Sequence, residues 1–266
     1  MNFWTVDAFT DTLFSGNPAA VYLVEQFPTD TLMQQIAAEM NLSETAFVQR
    51  LRANHFHIRW FTPAVEVNLC GHATLATGHI LRQEQQVDAQ STVTLESRSG
   101  PLLLHYDDAR IIMDFPVQPT QPATPPDGLI EAIGVTPIAV HRALDDWLIE
   151  CASESDVRVA RPNFSALIHV ECRGVIITAR AEKKTYDIVS RFFAPRVGVN
   201  EDPVTGSAHC KLIHYWSERL QKNSLTAYQA SRRGGTLHLQ RSGDRVLIGG
   251  AAVTAKSGTL ALPTVQ

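Results

Sequence analysis

One segment of this chain occurs twice. Arg59–Asn68 reads RWFTPAVEVN and Arg191–Asn200 reads RFFAPRVGVN, about half of the 266 residues apart. Arg59 and Arg191, Phe61 and Phe193, Pro63 and Pro195, Val65 and Val197, Val67 and Val199, and Asn68 and Asn200 coincide. After a connection three residues longer in the second copy, Gly71-His72-Ala73 answers to Gly206-Ser207-Ala208. Each copy reads as a strand, a proline turn, a glycine and a helix. A repeat on this scale points to a duplicated structural unit. Two lobes of similar build would then face one cleft, a favoured place for a ligand.

A division near the middle of the chain agrees with this. Phe115–Gly128 reads FPVQPTQPATPPDG, with five prolines. Proline fixes φ and donates no N–H, so the run predicts neither helix nor inner strand but an inter-domain crossing. The expected lobes are 1–116 and 117–266, with a C-terminal strand as a candidate to cross back to the first. Residues are 44% hydrophobic and 19% charged, which is enough apolar material for sizeable cores. A net charge of −4 without a basic cluster argues against nucleic acid or an anionic membrane as partner. The N-terminus MNFWTVDAFTD lacks the pattern of a signal peptide, and no run of about 18 apolar residues predicts a membrane span. Cys70, Cys151, Cys172 and Cys210 are scattered, which predicts reduced thiols in a cytoplasmic protein.

Periodicity predicts strands at Phe3–Thr10 and Ala19–Val24 around a Gly16-Asn17-Pro18 turn. A helix capped at Thr29/Asp30 follows to Met40, then strands at Thr45–Gln49 and His55–Phe61. Gly71–Leu81 is apolar nearly all round, the mark of a helix buried in a core. Strands at Val93–Leu95, Leu102–Leu104 and Ile111–Phe115 close the first lobe. In the second lobe, Leu129–Ile133 and Gly206–Arg219 read as helices. Ala139–Arg142, Trp147–Cys151, Val175–Thr178, Tyr186–Phe193, Ser224–Gln229, Thr236–Gln240 and Arg245–Ile248 read as strands, with turns at Gly234-Gly235 and Ser242-Gly243-Asp244.

Both copies of the repeat end in a glycine that opens a helix. Unbonded N–H groups at a helix start attract anions, so the turns Gly71–Ala73 and Gly206–Ala208 are candidates to hold carboxylates. Ser207 stands where the first copy has His72. His209, Cys210 and His214 lie close in sequence but lack the spacing of a four-ligand zinc site, and no metal is expected. No P-loop, GxSxG or strand-following GxGxxG occurs, so no nucleotide or flavin cofactor is expected.

Four blocks together carry a resemblance: VDAFTDTLFSGNPAAV (Val6–Val21), NLSETAFV (Asn41–Val48), FTPAVEVNLCGHATLATGHIL (Phe61–Leu81) and FFAPRVGVNEDPVTGSAHCKLIHYW (Phe192–Trp216). In this order they resemble the phenazine-biosynthesis (PhzF-like) isomerase family, of the diaminopimelate epimerase superfamily. The resemblance implies an α+β fold of two pseudo-symmetric, diaminopimelate-epimerase-like lobes, each a curled sheet around a central helix. It also implies a homodimer and an inter-lobe site for a small carboxylic acid.

By the same resemblance, Glu44 of SETAF is the catalytic acid/base, and His72 and Asp202 line the site and assist proton transfer. Asn17, Gly71, Ala73, Gly206, Ser207 and Ala208 are the expected substrate-binding residues. The implied activity is a cofactor-independent isomerisation: one glutamate removes a proton from one carbon and returns it to another. The chemistry fits a carboxylate in an apolar cleft, where burial disfavours the charged form. Two-base racemases of the superfamily carry a cysteine before each helix glycine. Here Cys70 precedes Gly71 but Thr205 precedes Gly206, so that mechanism lacks one half. An epimerase or dehydratase of the same superfamily, or a ligand-binding relative without catalysis, are the alternatives.

Overall fold

The computed structural model describes residues 1–261 apart from Ala89 and Ala109. The chain forms two compact units, one of Met1–Asp114 together with the chain from Gly249 onward, the other of Phe115–Ile248. Strands and helices mix in both, giving an α+β fold.

In the first unit the strand Asn2–Ala8 lies antiparallel to both Asn17–Val24 and Ala252–Thr259. Asn17–Val24 runs parallel to Glu44–Arg52, which is antiparallel to His55–Phe61. His55–Phe61 pairs antiparallel with the short Glu66–Val67 and parallel with Val93–Glu96, and Leu102–Asp107 follows antiparallel. The parallel crossover between Asn17–Val24 and Glu44–Arg52 is made by the helix Asp30–Met40. Its start is capped by the Thr29 hydroxyl, which accepts from the Leu32 N–H, and it stops at Asn41 in the left-handed region. Met33, Ile36 and Ala37, at the spacing of one helix face, bury against Ala20, Tyr22, Phe47 and Phe61.

The helix Gly71–Gln83 packs against Asn2–Ala8, Asn17–Val24, Glu44–Arg52 and Ala252–Thr259 and is buried along most of its length. Three of its buried residues are polar, His72, Thr74 and Thr77, and the two threonines satisfy themselves locally. The Thr74 hydroxyl donates to the Cys70 carbonyl and the Thr77 hydroxyl to the Ala73 carbonyl. Gly78 faces Ile111 and Leu104, whose methyls would lie 3.1 Å from an added Cβ.

The second unit repeats the succession of partners. Pro137–Ala143 is antiparallel to Asp146–Cys151, which is parallel to Gly174–Arg180. Gly174–Arg180 is antiparallel to Ile188–Ala194, which pairs antiparallel with Val199–Asp202 and parallel with Ser224–Gln229. Gly235–Ser242 closes the series antiparallel. The helix Gly206–Leu220 stands at the same place in this series as Gly71–Gln83 in the first. The parallel crossover here uses two short helices, Glu154–Val159 and Phe164–Leu167, in place of one.

The repeated arginines and phenylalanines do the same work in both units. Nε and Nη2 of Arg59 donate to the two carboxylate oxygens of Glu66 at 2.8 and 2.7 Å. Nε and Nη2 of Arg191 donate to those of Glu201 at 2.7 and 3.0 Å. The Arg59 guanidinium lies 5.2 Å from the Phe61 ring centre, and that of Arg191 lies 4.9 Å from Phe193. A planar fork matched to a carboxylate and resting on an aromatic face is a geometry lysine cannot supply. Each clamp ties a strand to the segment that leads into the glycine-led helix.

Some elements depart from expectation. The first strand stops at Ala8 because Phe9 takes φ 64°. Inside the proline run, Gln121–Pro122 pairs with Arg142 and His141 at the sheet edge. The helices Glu154–Val159 and Phe164–Leu167 carry too little periodicity to be read from the sequence.

Candidate functional site

Asn17 opens one strand and Glu44 opens the next. The two strands run parallel with Ala19 opposite Glu44, so both residues lie at the same end of the sheet. The helix Gly71–Gln83 packs on these strands and brings His72 to both. His72 Nε2 lies 3.2 Å from Glu44 Oε2. Its Nδ1 lies 3.2 Å from Asn17 Nδ2 and 3.5 Å from Cys70 Sγ. Asn17, Cys70 and His72 are buried, while the Glu44 side chain keeps 19% of its exposure.

Burial pushes the His72 imidazole down to about 3, so it is neutral around pH 7. A neutral ring carries one hydrogen. The Asn17 amide N–H donates to Nδ1, which places the ring hydrogen on Nε2, facing the Glu44 carboxylate. Asn17 thus sets the tautomer, and the 3.2 Å contact between Nε2 and Glu44 Oε2 is a close approach not aligned as a hydrogen bond.

Asn17 is itself placed by Gly16, which has φ +65°; a Cβ there would stand 2.2 Å from the Ala8 carbonyl oxygen. Left-handed backbone and a clash with backbone act together at this position. Gly16→Ala is expected to cost about 2–4 kcal/mol. Thermal melting of the variant beside wild type checks it, and an unshifted melting temperature would show that the turn relaxes freely.

At Cys70, the N-cap of its helix, the backbone is extended and the side chain does not cap the first turn. Thr205 is the matching N-cap of Gly206–Leu220, with the same extended backbone and again no side-chain cap. Both first turns, Gly71–Ala73 and Gly206–Ala208, thus start without the usual side-chain acceptor.

The second unit gathers its own cluster. The Thr205 hydroxyl donates to Asp202 Oδ2. The buried Gln229 amide accepts from the Thr205 N–H at 2.9 Å and donates to the Asp202 carbonyl at 2.7 Å. Arg173 donates to Ser207 Oγ at 3.2 Å. Thr205 is therefore a structural link between Asp202 and the helix.

Sequence reasoning singled out Asn17, Glu44, Gly71, His72 and Ala73, and the structure gathers these in the first unit. Asp202, Gly206, Ser207 and Ala208 gather in the second. Gln229 and Arg173 were missed: no spacing ties either to Asp202 or Ser207, and only the fold brings them there. His209, Cys210 and His214 face separate partners. His209 Nδ1 meets the Thr205 carbonyl at 2.7 Å, and His214 Nδ1 accepts from Thr120. Burial pushes the Cys210 thiol up to about 12.

Comparison with known proteins gives a consistent picture. The sequence pattern of the phenazine biosynthesis-like protein family (PhzC-PhzF) matches residues 6–258. An uncharacterized isomerase of Pseudomonas aeruginosa is 50% identical, over 98% of this chain and 99% of its own. The crystal structure of a PhzF-family phenazine biosynthesis protein from Enterococcus faecalis superposes with a TM-score of 0.93 at 40% identity, covering 98% of this chain and 99% of that one. A hydroxyproline epimerase from Agrobacterium vitis shares the fold, with a TM-score of 0.61 at 11% identity over 97% of this chain and 91% of its own.

Proposed function

The chain belongs to the phenazine biosynthesis-like (PhzC-PhzF) family, and on that premise we propose that it is a cofactor-independent isomerase acting on a small carboxylic acid. The observation that carries the reading is the Glu44 carboxylate set 3.2 Å from a buried imidazole. Glu44 removes a proton from a carbon that a neighbouring unsaturated or carbonyl group acidifies. His72, neutral and held by Asn17, sets its Nε2 edge 3.2 Å from the carboxylate and so limits its orientation toward the substrate. Glu44 then returns the proton to a different carbon. The first turn Gly71–Ala73, beside Glu44, offers N–H groups that bind and orient the substrate carboxylate. The repeat and the matched succession of strand partners support reading the two units as duplicated, pseudo-symmetric lobes. Superposing the isolated units tests this, with Gly71 expected to land on Gly206.

The reaction is tested by incubating the protein with a panel of unsaturated and α-keto or α-hydroxy carboxylic acids in deuterated water. Isomerised product, carrying deuterium or transferred hydrogen at the new position, is the expected result. No isomerised product and no exchange across the panel would count against it. Because Glu44 carries the proton, Cys70→Ala is expected to leave turnover on whichever acid responds within about tenfold, roughly 1.4 kcal/mol of barrier. A loss of three orders of magnitude with the fold intact would mean that the thiol does the chemistry.

A further inference from the structure

We propose that Gln229 is a positioning residue: it turns the Thr205 hydroxyl onto Asp202 and so fixes that carboxylate, as an acceptor, in one orientation. Thr205 is the N-cap of Gly206–Leu220, yet its side chain makes no cap. A threonine at this position ordinarily accepts from an N–H of the first turn. Here every polar group of Thr205 is committed elsewhere. Its N–H donates to Gln229 Oε1 at 2.9 Å, and His209 Nδ1 stands 2.7 Å from its carbonyl. Because that N–H can only donate, the Gln229 oxygen must face it, which leaves the amide nitrogen on the other side. Gln229 Nε2 lies 2.7 Å from the Asp202 carbonyl and 3.1 Å from Thr205 Oγ1. It has two hydrogens and donates to both. Thr205 Oγ1 is then the acceptor toward Gln229, and its single hydrogen goes to Asp202 Oδ2.

An ionised carboxylate only accepts, so it suits a hydroxyl whose hydrogen points at it. Such a charge-assisted bond is short and strong, and it favours the ionised form. Gln229 ends the strand Ser224–Gln229 and is 1% exposed, so water does not compete for its amide. Arg173 is the cation whose charge acts together with that of Asp202, while the neighbouring Glu201 is engaged by Arg191. In the first unit Cys70 takes the place of Thr205 and meets His72 instead, so the relay belongs to the second copy. The hydroxyl that stands where a second thiol would be required serves as a donor to Asp202, in place of a base. That Asp202 serves the reaction rests on the proposed function, whereas the relay itself does not.

The test uses the full chain, labelled with ¹³C at the aspartate carboxyls, and needs no substrate. Nuclear magnetic resonance follows the Asp202 carboxyl carbon as pH is varied. In Thr205→Val and Gln229→Met it should titrate at higher pH than in the wild type, because the donated hydrogen is lost or free to turn away. Thr205→Ser keeps the hydroxyl and should titrate like the wild type. An unchanged Asp202 titration in Thr205→Val would overturn the proposal. In the wild type, the side-chain amide protons of Gln229 should shift together with the Asp202 carbon. Amide signals indifferent to that titration would also overturn it, a readout that stands even if a variant fails to fold. On an acid that is turned over, Gln229→Met should lower kcat by up to about 10²-fold while changing KM less. Coupled titration without any isomerisation would leave the relay standing and remove only the reaction.

Discussion

Glu44→Gln is expected to lose at least 10²–10⁴-fold in proton transfer to and from substrate while remaining folded. Glutamine keeps the size of the side chain and its place 3.2 Å from His72 Nε2. What it cannot do is take a proton at neutral pH. Substrate binding is expected to persist, because the first-turn N–H groups of Gly71–Ala73 proposed to hold the carboxylate do not involve Glu44. The signature is therefore a folded protein that binds substrate and does not exchange its hydrogen. Circular dichroism, ligand-shifted melting and deuterium incorporation read the three parts separately. Near-normal exchange would sink the mechanism. Glu44→Asp supplies the control if the glutamine variant unfolds: it retains a base on a shorter arm and should restore part of the activity.

Acid should weaken this protein well above the carboxylate range. Burial lowers His72 to about 3 and His209 to about 4, against about 6.5 for the unfolded chain. Between those values the unfolded state binds more protons than the folded one. Stability therefore rises with pH across the window and falls on acidification, beginning near pH 6.5 and continuing to the folded values. At pH 5 each histidine accounts for a loss of about 2 kcal/mol relative to pH 7. The pair together approaches the lower end of a typical domain's stability. Urea unfolding at pH 7 and pH 5 measures the difference, and His209→Gln should remove about half of it. A midpoint unchanged between the two pH values would mean that both rings reach water or a compensating partner.

Much of this architecture was legible because apolar period and repeat spacing are properties of the sequence itself. Gly71–Leu81 announced a core helix by being apolar on every face, and the helix indeed packs against four strands. Gly206–Arg219 was placed correctly, yet nothing in its sequence marks Lys211 as buried. In the structure Lys211 is 1% exposed and donates to Asp146, to which Arg173 also donates. A buried lysine becomes readable only once its distant partner is known. The short helix Glu154–Val159 did carry a signal, the Ser153–Asp156 capping box, but six residues give periodicity no purchase. The strand Ala252–Thr259 lacks alternation and contains a glycine, so its place is fixed by pairing alone. At the site, Glu44 and His72 were reached through motif resemblance. Their spacing, the Asn17 contact that sets the imidazole hydrogen and the Cys70 contact follow from parallel strands and a helix meeting at one end. No linear pattern encodes that.

The pairing of Asn2–Ala8 with Ala252–Thr259 bears on how the protein is made. On a ribosome, the segment Phe115–Ile248 emerges with every strand of its own series and can collapse while still tethered. The first unit cannot: Asn2–Ala8 waits beside Asn17–Val24 for a partner synthesised after the whole of the other unit. Until then one flank of Asn2–Ala8 offers unpaired backbone groups, and Gly71–Gln83 lacks one of the strands it packs against. The setting of Asn17, Glu44 and His72 is therefore completed only after the whole of the other unit has been made. The nascent chain passes through a stage with one finished unit and one open sheet edge, a stage at which a holding chaperone has a surface to recognise.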